Sequence, residues 1–324
     1  VTSKTQLHIV TGKGGVGKST FAATLTRALA EAGKGPLLLI EIQGSGRSLE
    51  ILGLEDHFSY ESQAVPEMNN VWACRILPKP AFRQYFDLLL AMRNHDSAFA
   101  QLTSSLRTRL VDTVLDNKVV SAFIDVCPGL EPAALLGKVH WECTQGTVPN
   151  HETRWKHVVV DAPSTGHAIM LFRSTQALID VFGSGLVFKQ ASEIMNLMRN
   201  PEQTHLYILS TPEELPLREA SDLAQSLQKL DLPKPKFVLN RHRPAVVYSE
   251  EKVSTLEALK VLSPEWAREA QLEIERTQEE SSLFKEFLDR ESKRDFDLKL
   301  PELSHTLRDQ KILVELCKKE FVKT

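Results

Sequence analysis

Residues 12–20 read Gly-Lys-Gly-Gly-Val-Gly-Lys-Ser-Thr, between an apolar run, Gln6 to Val10, and a helical stretch, Lys18 to Ala32. Few features restrict a fold as much. A strand must deliver the chain to the loop and a helix must carry it away. The loop itself needs backbone angles and close approaches that a Cβ would block. Successive N–H groups in such a loop converge on one concavity, and the helix start adds partial positive charge, so the segment suits phosphate oxygens. The spacing satisfies G-x-x-x-x-G-K-[ST]. Gly12, Lys13, Gly14, Gly15, Val16, Gly17, Lys18, Ser19 and Thr20 are therefore the candidate nucleotide cradle. Lys18 is expected to reach the β- and γ-phosphates of ATP, and Ser19 to ligate Mg²⁺.

The rest of the chain keeps the strand–helix rhythm. Residues 36–42 (PLLLIEI), 71–77 (VWACRIL), 157–162 (HVVVDA), 205–211 (HLYILST) and 236–240 (KFVLN) are short, nearly continuous apolar runs. Such runs fit strands buried on both faces. Alternation with helices implies right-handed βαβ units, and so an α/β fold: a doubly wound, mainly parallel sheet. Gly33 is placed to end the first helix. The expectation is one P-loop domain over 1–324, with a helical subdomain from about 80–140 and 166–200. Residues 264–292 form a further, charged helical segment.

Composition excludes several classes. The net charge of −3 gives no basic excess of the kind nucleic-acid binding needs. Cys74, Cys127, Cys143 and Cys317 are too widely spaced for a CxxC or another zinc-ligand pattern. No stretch reaches the roughly 18 uncharged apolar residues of a membrane span. The most apolar segment, Ala168 to Phe188, is broken by Arg173, Asp180 and two glycines. With no export signal at Val1 to Lys4, the expected location is cytoplasmic, with no integral membrane segment.

A second site signal is the run Val158-Val159-Val160-Asp161, an apolar strand ending in an acid. Its carboxylate is the candidate holder of the Mg²⁺ hydration shell beside Ser19.

The form GKGGVGKST, with Lys13 directly after the first glycine, resembles the deviant Walker A motif of the arsenite-pump, tail-anchored-protein-targeting, cell-division-positioning, partition and nitrogenase-iron-protein ATPases. The resemblance implies a face-to-face dimer around two ATP molecules, with Lys13 reaching the partner's nucleotide. Asp161-Ala162-Pro163-Ser164-Thr165-Gly166-His167 resembles the D-T-A-P-T-G-H of the arsenite-pump and targeting branch, its switch II. On that pattern Gly166 lends an N–H to the γ-phosphate, while His167 is a participant or a hydrogen-bonding strut. Thr211-Pro212-Glu213-Glu214 resembles the turn near the base pocket. Asn240 matches the strand-end Asn that hydrogen-bonds adenine. Cys127-Pro128-Gly129-Leu130-Glu131 resembles a P-G-x-x-E stretch ahead of a helix. The likeness runs from residue 6 to about 245.

Switch I departs from the pattern. The Asp that positions the attacking water in this branch falls on Gln43, which can orient a water but cannot take its proton. Glu41 is a candidate substitute if its side chain is free. The zinc CxxC of the eukaryotic targeting ATPases and the arsenite cysteine cluster are missing as well. The resemblance therefore implies an ATP-binding, ATP-hydrolysing dimeric switch that couples nucleotide state to an apolar client segment or partner protein. The alternative is a catalytically weak regulatory subunit, paired with an active paralogue as a heterodimer rather than a homodimer. A membrane- or DNA-positioning ATPase is a third reading. Apolar residues from Ile169 to Phe188 are client-surface or core candidates. The stripe Ile312, Leu313, Leu316, Cys317 and Phe321 suits a docked last helix or a membrane-surface helix.

Overall fold

The computed structural model describes residues 4–54, 59–93, 129–243, 261, 263–290, 296–302 and 307–322. The expected strands all form: β1 (Gln6–Gly12), β2 (Leu37–Ile42), β4 (Val71–Ile76), β5 (His157–Ser164), β6 (Thr204–Ser210) and β7 (Lys236–His242). Two short edge strands, β3 (Gln63–Ala64) and β8 (Leu298–Pro301), went unforeseen because neither carries a sustained apolar run. The order across the sheet is β3-β4-β2-β5-β1-β6-β7-β8. Among the described residues, every strand ladder of this sheet is parallel except β3 against β4.

Alternation along each strand shows why the runs are apolar throughout. Leu38, Ile40, Val158, Val160, Leu206 and Ile208 enter one core cluster. Leu37, Leu39, Val159, Tyr207 and Leu209 enter the other, across the sheet. Each such side chain stabilises the fold by roughly 1.5–3 kcal/mol on burial. One face is covered by α1 (Lys18–Glu31), α2 (Arg47–Ile51) and α9 (Leu307–Phe321). The other carries α3 (Pro78–Arg93), α4 (Leu130–Thr144), α5 (Thr165–Phe182), α6 (Gly185–Arg199), α7 (Glu214–Gln228) and α8 (Pro264–Arg290).

The helices expected over 166–200 are α5 and α6, and the charged segment is α8. Leu106, Leu110, Val111, Leu115, Cys127 and Pro128 lie outside the described residues. α1 stops where Gly33 takes φ 69° and its N–H bonds the Ala30 carbonyl. The last helix is docked: Val314 and Cys317 are buried, Phe321 meets Phe21 and Tyr207 edge-on, and Lys318 pairs with Glu31 at 2.5 Å. Among the described residues no helix is long and apolar enough to cross a membrane.

Three histidines from β1, β5 and β6 meet near the amino ends of the strands. His8 Nε2 lies 3.0 Å from His157 Nδ1, its Nδ1 lies 3.2 Å from the Tyr207 hydroxyl, and its ring is 5.0 Å from that of His205. Burial lowers all three pKa values, that of His157 to about 4; the other histidines and Lys236, Lys34 and Lys156 push the same way. Below pH 6.5 the unfolded chain takes up protons that the folded cluster refuses. Stability should therefore fall as pH drops from about 6.5 toward 4, with His157 alone contributing on the order of 3 kcal/mol. Urea midpoints across this range check it, and His157→Asn should flatten the slope.

Candidate nucleotide site

The glycine-rich loop leaves β1 in the middle of the sheet, between β5 and β6, at the carboxyl end of the strands. This is where open α/β sheets receive ligands. Gly12 takes φ 149°, and a Cβ there would sit 2.3 Å from the Leu209 carbonyl oxygen of β6. No side chain fits. Gly15 and Gly17 take φ 84° and 94°, which keeps the loop in conformations L side chains rarely adopt. Gly14 and Gly15 are exposed and Val16 is buried beneath them. The loop thus stands on an apolar peg and is open to solvent at its two middle glycines.

Lys18 Nζ donates to the Lys13 carbonyl at 3.0 Å, so its ammonium closes the loop from within. Burial lowers its pKa, and Asp161 opposes that shift. The Asp161 carboxyl is raised to about 6, first by burial; the Ser19 hydroxyl and Lys18 work against the rise, and the neighbouring Glu41 adds to it. Ser19 and Asp161 come together as expected, a hydroxyl and a carboxylate able to hold hydrated Mg²⁺.

Asn240 Nδ2 donates to the Val16 carbonyl at 2.9 Å, so this amide braces the loop. β7 runs two residues past it, so Asn240 sits within the strand rather than at its end. Pro212 lines a neighbouring cleft of about 520 Å³ together with Glu213, Arg241, Arg276 and Glu280.

The segment that resembles switch II begins inside β5 and becomes the first turn of α5. Gly166 and His167 are exposed there, and the Ser164 side chain makes no capping bond, which leaves first-turn N–H groups without a side-chain cap. Thr11 Oγ1 donates to the Pro163 carbonyl at 3.1 Å, tying β1 to the switch.

Sequence reasoning missed Glu219 on α7. Its carboxylate accepts from Thr165 Oγ1 at 2.7 Å and lies 3.6 Å from Lys13 Nζ. One side chain therefore spans the loop lysine and switch II. No motif signals this, because the contact depends on where α7 packs.

Glu41 is not a free acid. It is buried, and its carboxylate accepts from the Gly46 and Ser48 N–H groups and the Ser48 hydroxyl. Arg75 donates to the Gly44 carbonyl beside it. The candidate substitute for the missing switch I acid is instead the post on which the 43–48 loop is built. Gln43 emerges from that loop exposed, with φ 53°.

Fold and site together define an α/β P-loop nucleotide-binding protein. A family described as anion-transporting ATPase matches residues 5–184, more than half of the chain, and the chain belongs to that family. It is 28% identical over 246 residues to a putative ATPase of Mycobacterium bovis and to the ATPase BagA of Mycobacterium tuberculosis; each match covers 75% of this chain and 67% of the relative. Identity to an arsenical pump-driving ATPase of Escherichia coli is 24% over 269 residues, covering 76% of this chain and 41% of that protein.

Replacing Glu41 with Ala should cost about 2–4 kcal/mol of stability, since buried N–H donors lose their acceptor. Urea unfolding measures this; an unchanged midpoint would mean the loop does not depend on the carboxylate.

Proposed function

We propose that the chain binds Mg-ATP in the 12–20 loop and hydrolyses it, acting in the cytoplasm as a dimeric switch whose nucleotide state controls binding of an apolar client or partner protein. The observation that carries this reading is the meeting of Lys18, Ser19 and Asp161 around a glycine-rich loop exposed at Gly14 and Gly15. Gly12 to Thr20 would cradle the phosphates, with Lys18 on the β- and γ-oxygens. Ser19 and Asp161 would hold Mg²⁺, which neutralises charge on the phosphates when bound. The Gly166 N–H lies in the uncapped turn suited to the γ-phosphate. Pro212 and Asn240 would flank the base end. Lys13, paired with Glu219 in this chain, would be drawn toward a partner's nucleotide when two copies close.

The client reading is supported by α5, where Val181 is 78% and Met170 56% exposed, apolar surface that the fold itself does not use. Leu171, Phe172 and Leu178 of the same helix are buried core. The arsenical function named for the Escherichia coli relative is not carried over. Cys74, Cys143 and Cys317 are buried, and burial pushes their thiols above the ordinary range.

Gln43 favours a second reading, a catalytically weak ATP-binding subunit completed by an active paralogue. Turnover separates the two. The homodimeric switch predicts steady phosphate release by the purified protein alone. Lys18→Ala should abolish it and weaken ATP binding by about 100-fold, the loss of a charge-assisted contact. Tight ATP binding without turnover would contradict the switch and support the regulatory subunit.

A further inference from the structure

On the family resemblance Gln43 falls at the position of the acid that orients the attacking water, and its side chain is engaged in this structure. Nε2 donates to Glu131 Oε1 at 3.1 Å, across 88 residues of sequence. Both partners project from built backbone. Gln43 takes a left-handed φ, its N–H is held by the Ile76 carbonyl, and Glu41 anchors the loop that follows. Glu131 lies in the first turn of α4, which starts at Gly129 with φ 125° and the Ala133 N–H on the Gly129 carbonyl.

The chemistry of the pair settles the orientation of the amide. An ionised carboxylate only accepts, so the NH₂ end must face Glu131 and Oε1 must face away. An unheld glutamine would sample both orientations, and only one offers a water its acceptor. We propose that Glu131 is a positioning residue for ATP hydrolysis: it fixes the Gln43 carboxamide so that Oε1 accepts a proton of the attacking water. The inference rests on the ATPase reading above. In the step it serves, the water oxygen bonds to the γ-phosphorus. The bond from that phosphorus to the β–γ bridging oxygen breaks, with its electron pair leaving on ADP. The water's proton stays with the phosphate product. Because this displacement is loose, orienting the water is sufficient and Gln43 need not accept the proton outright.

The test compares steady-state turnover and ATP affinity in the wild type, Lys18→Ala, Gln43→Ala, Glu131→Ala and Glu131→Gln. Glu131→Ala should lower kcat about 10-fold with ATP affinity unchanged, which also shows that the variant is folded. Glu131→Gln, whose side-chain carbonyl accepts the same N–H, should recover most of that loss. Full turnover in Glu131→Ala alongside a depressed Gln43→Ala would overturn the role of Glu131 while leaving the ATPase reading intact. A Glu131→Gln variant as slow as Glu131→Ala would overturn positioning, since the charge rather than the accepting oxygen would then matter. Full turnover in Gln43→Ala would overturn the proposal while leaving the ATPase reading intact, whereas wild-type turnover no higher than Lys18→Ala would remove the reading on which the inference rests.

Discussion

The chain turns out of β1 at Gly12 against the Leu209 carbonyl, closer than any side chain would allow. That approach locks the end of β1 to β6, while Thr11 ties it to Pro163 on the other side. The loop therefore opens where the strand connections diverge, with Asp161 to one side and Thr211-Pro212 to the other. Every other element of the site is placed relative to this point. The parallel sheet supplies the rigidity: its central strands are buried on both faces, so their carboxyl ends do not shift independently.

The site's charges are balanced against burial. Asp161 and Glu41 are register partners on adjacent strands, both nearly sealed from water. Glu41 has backbone and hydroxyl donors to satisfy it. Asp161 has the Ser19 and Ser48 hydroxyls and the Lys18 charge, yet burial, with the Glu41 charge adding to it, still raises its carboxyl to about 6. A carboxyl raised in this way suits a cation, in keeping with the proposal that Ser19 and Asp161 hold Mg²⁺. The network also divides labour within the loop that follows β2. Glu41 holds the backbone from below, and Gln43 and Glu131 face outward above it.

The fold was legible because continuous apolar runs between glycines leave little choice but a two-sided parallel sheet. β3 and β8 were not, since short edge strands gain their identity from a neighbour rather than from periodicity. The geometry of the candidate site was legible where it lies in short runs of sequence: Gly12 to Thr20, Asp161, Gly166. It was opaque where function lies in packing. Glu219 reaches Lys13 and Thr165 only because α7 lies beside both, and Glu131 meets Gln43 only because α4 starts next to the residue that follows β2. Glu41 shows the same limit from the other side: two residues before Gln43, it was a candidate only if its side chain were free, and the path of the 43–48 loop shows the carboxylate to be occupied. Asn240 acquired a bracing contact to Val16 that its strand position could not announce.

The most direct test is a crystal structure with Mg²⁺ and a non-hydrolysable ATP analogue. The account predicts the β- and γ-phosphates among the N–H groups of residues 14–20, the metal at Ser19 and Asp161, and Lys18 Nζ moved from the Lys13 carbonyl onto phosphate oxygen. A nucleotide bound elsewhere, or Lys18 still bonded to Lys13 with no phosphate in contact, would contradict it.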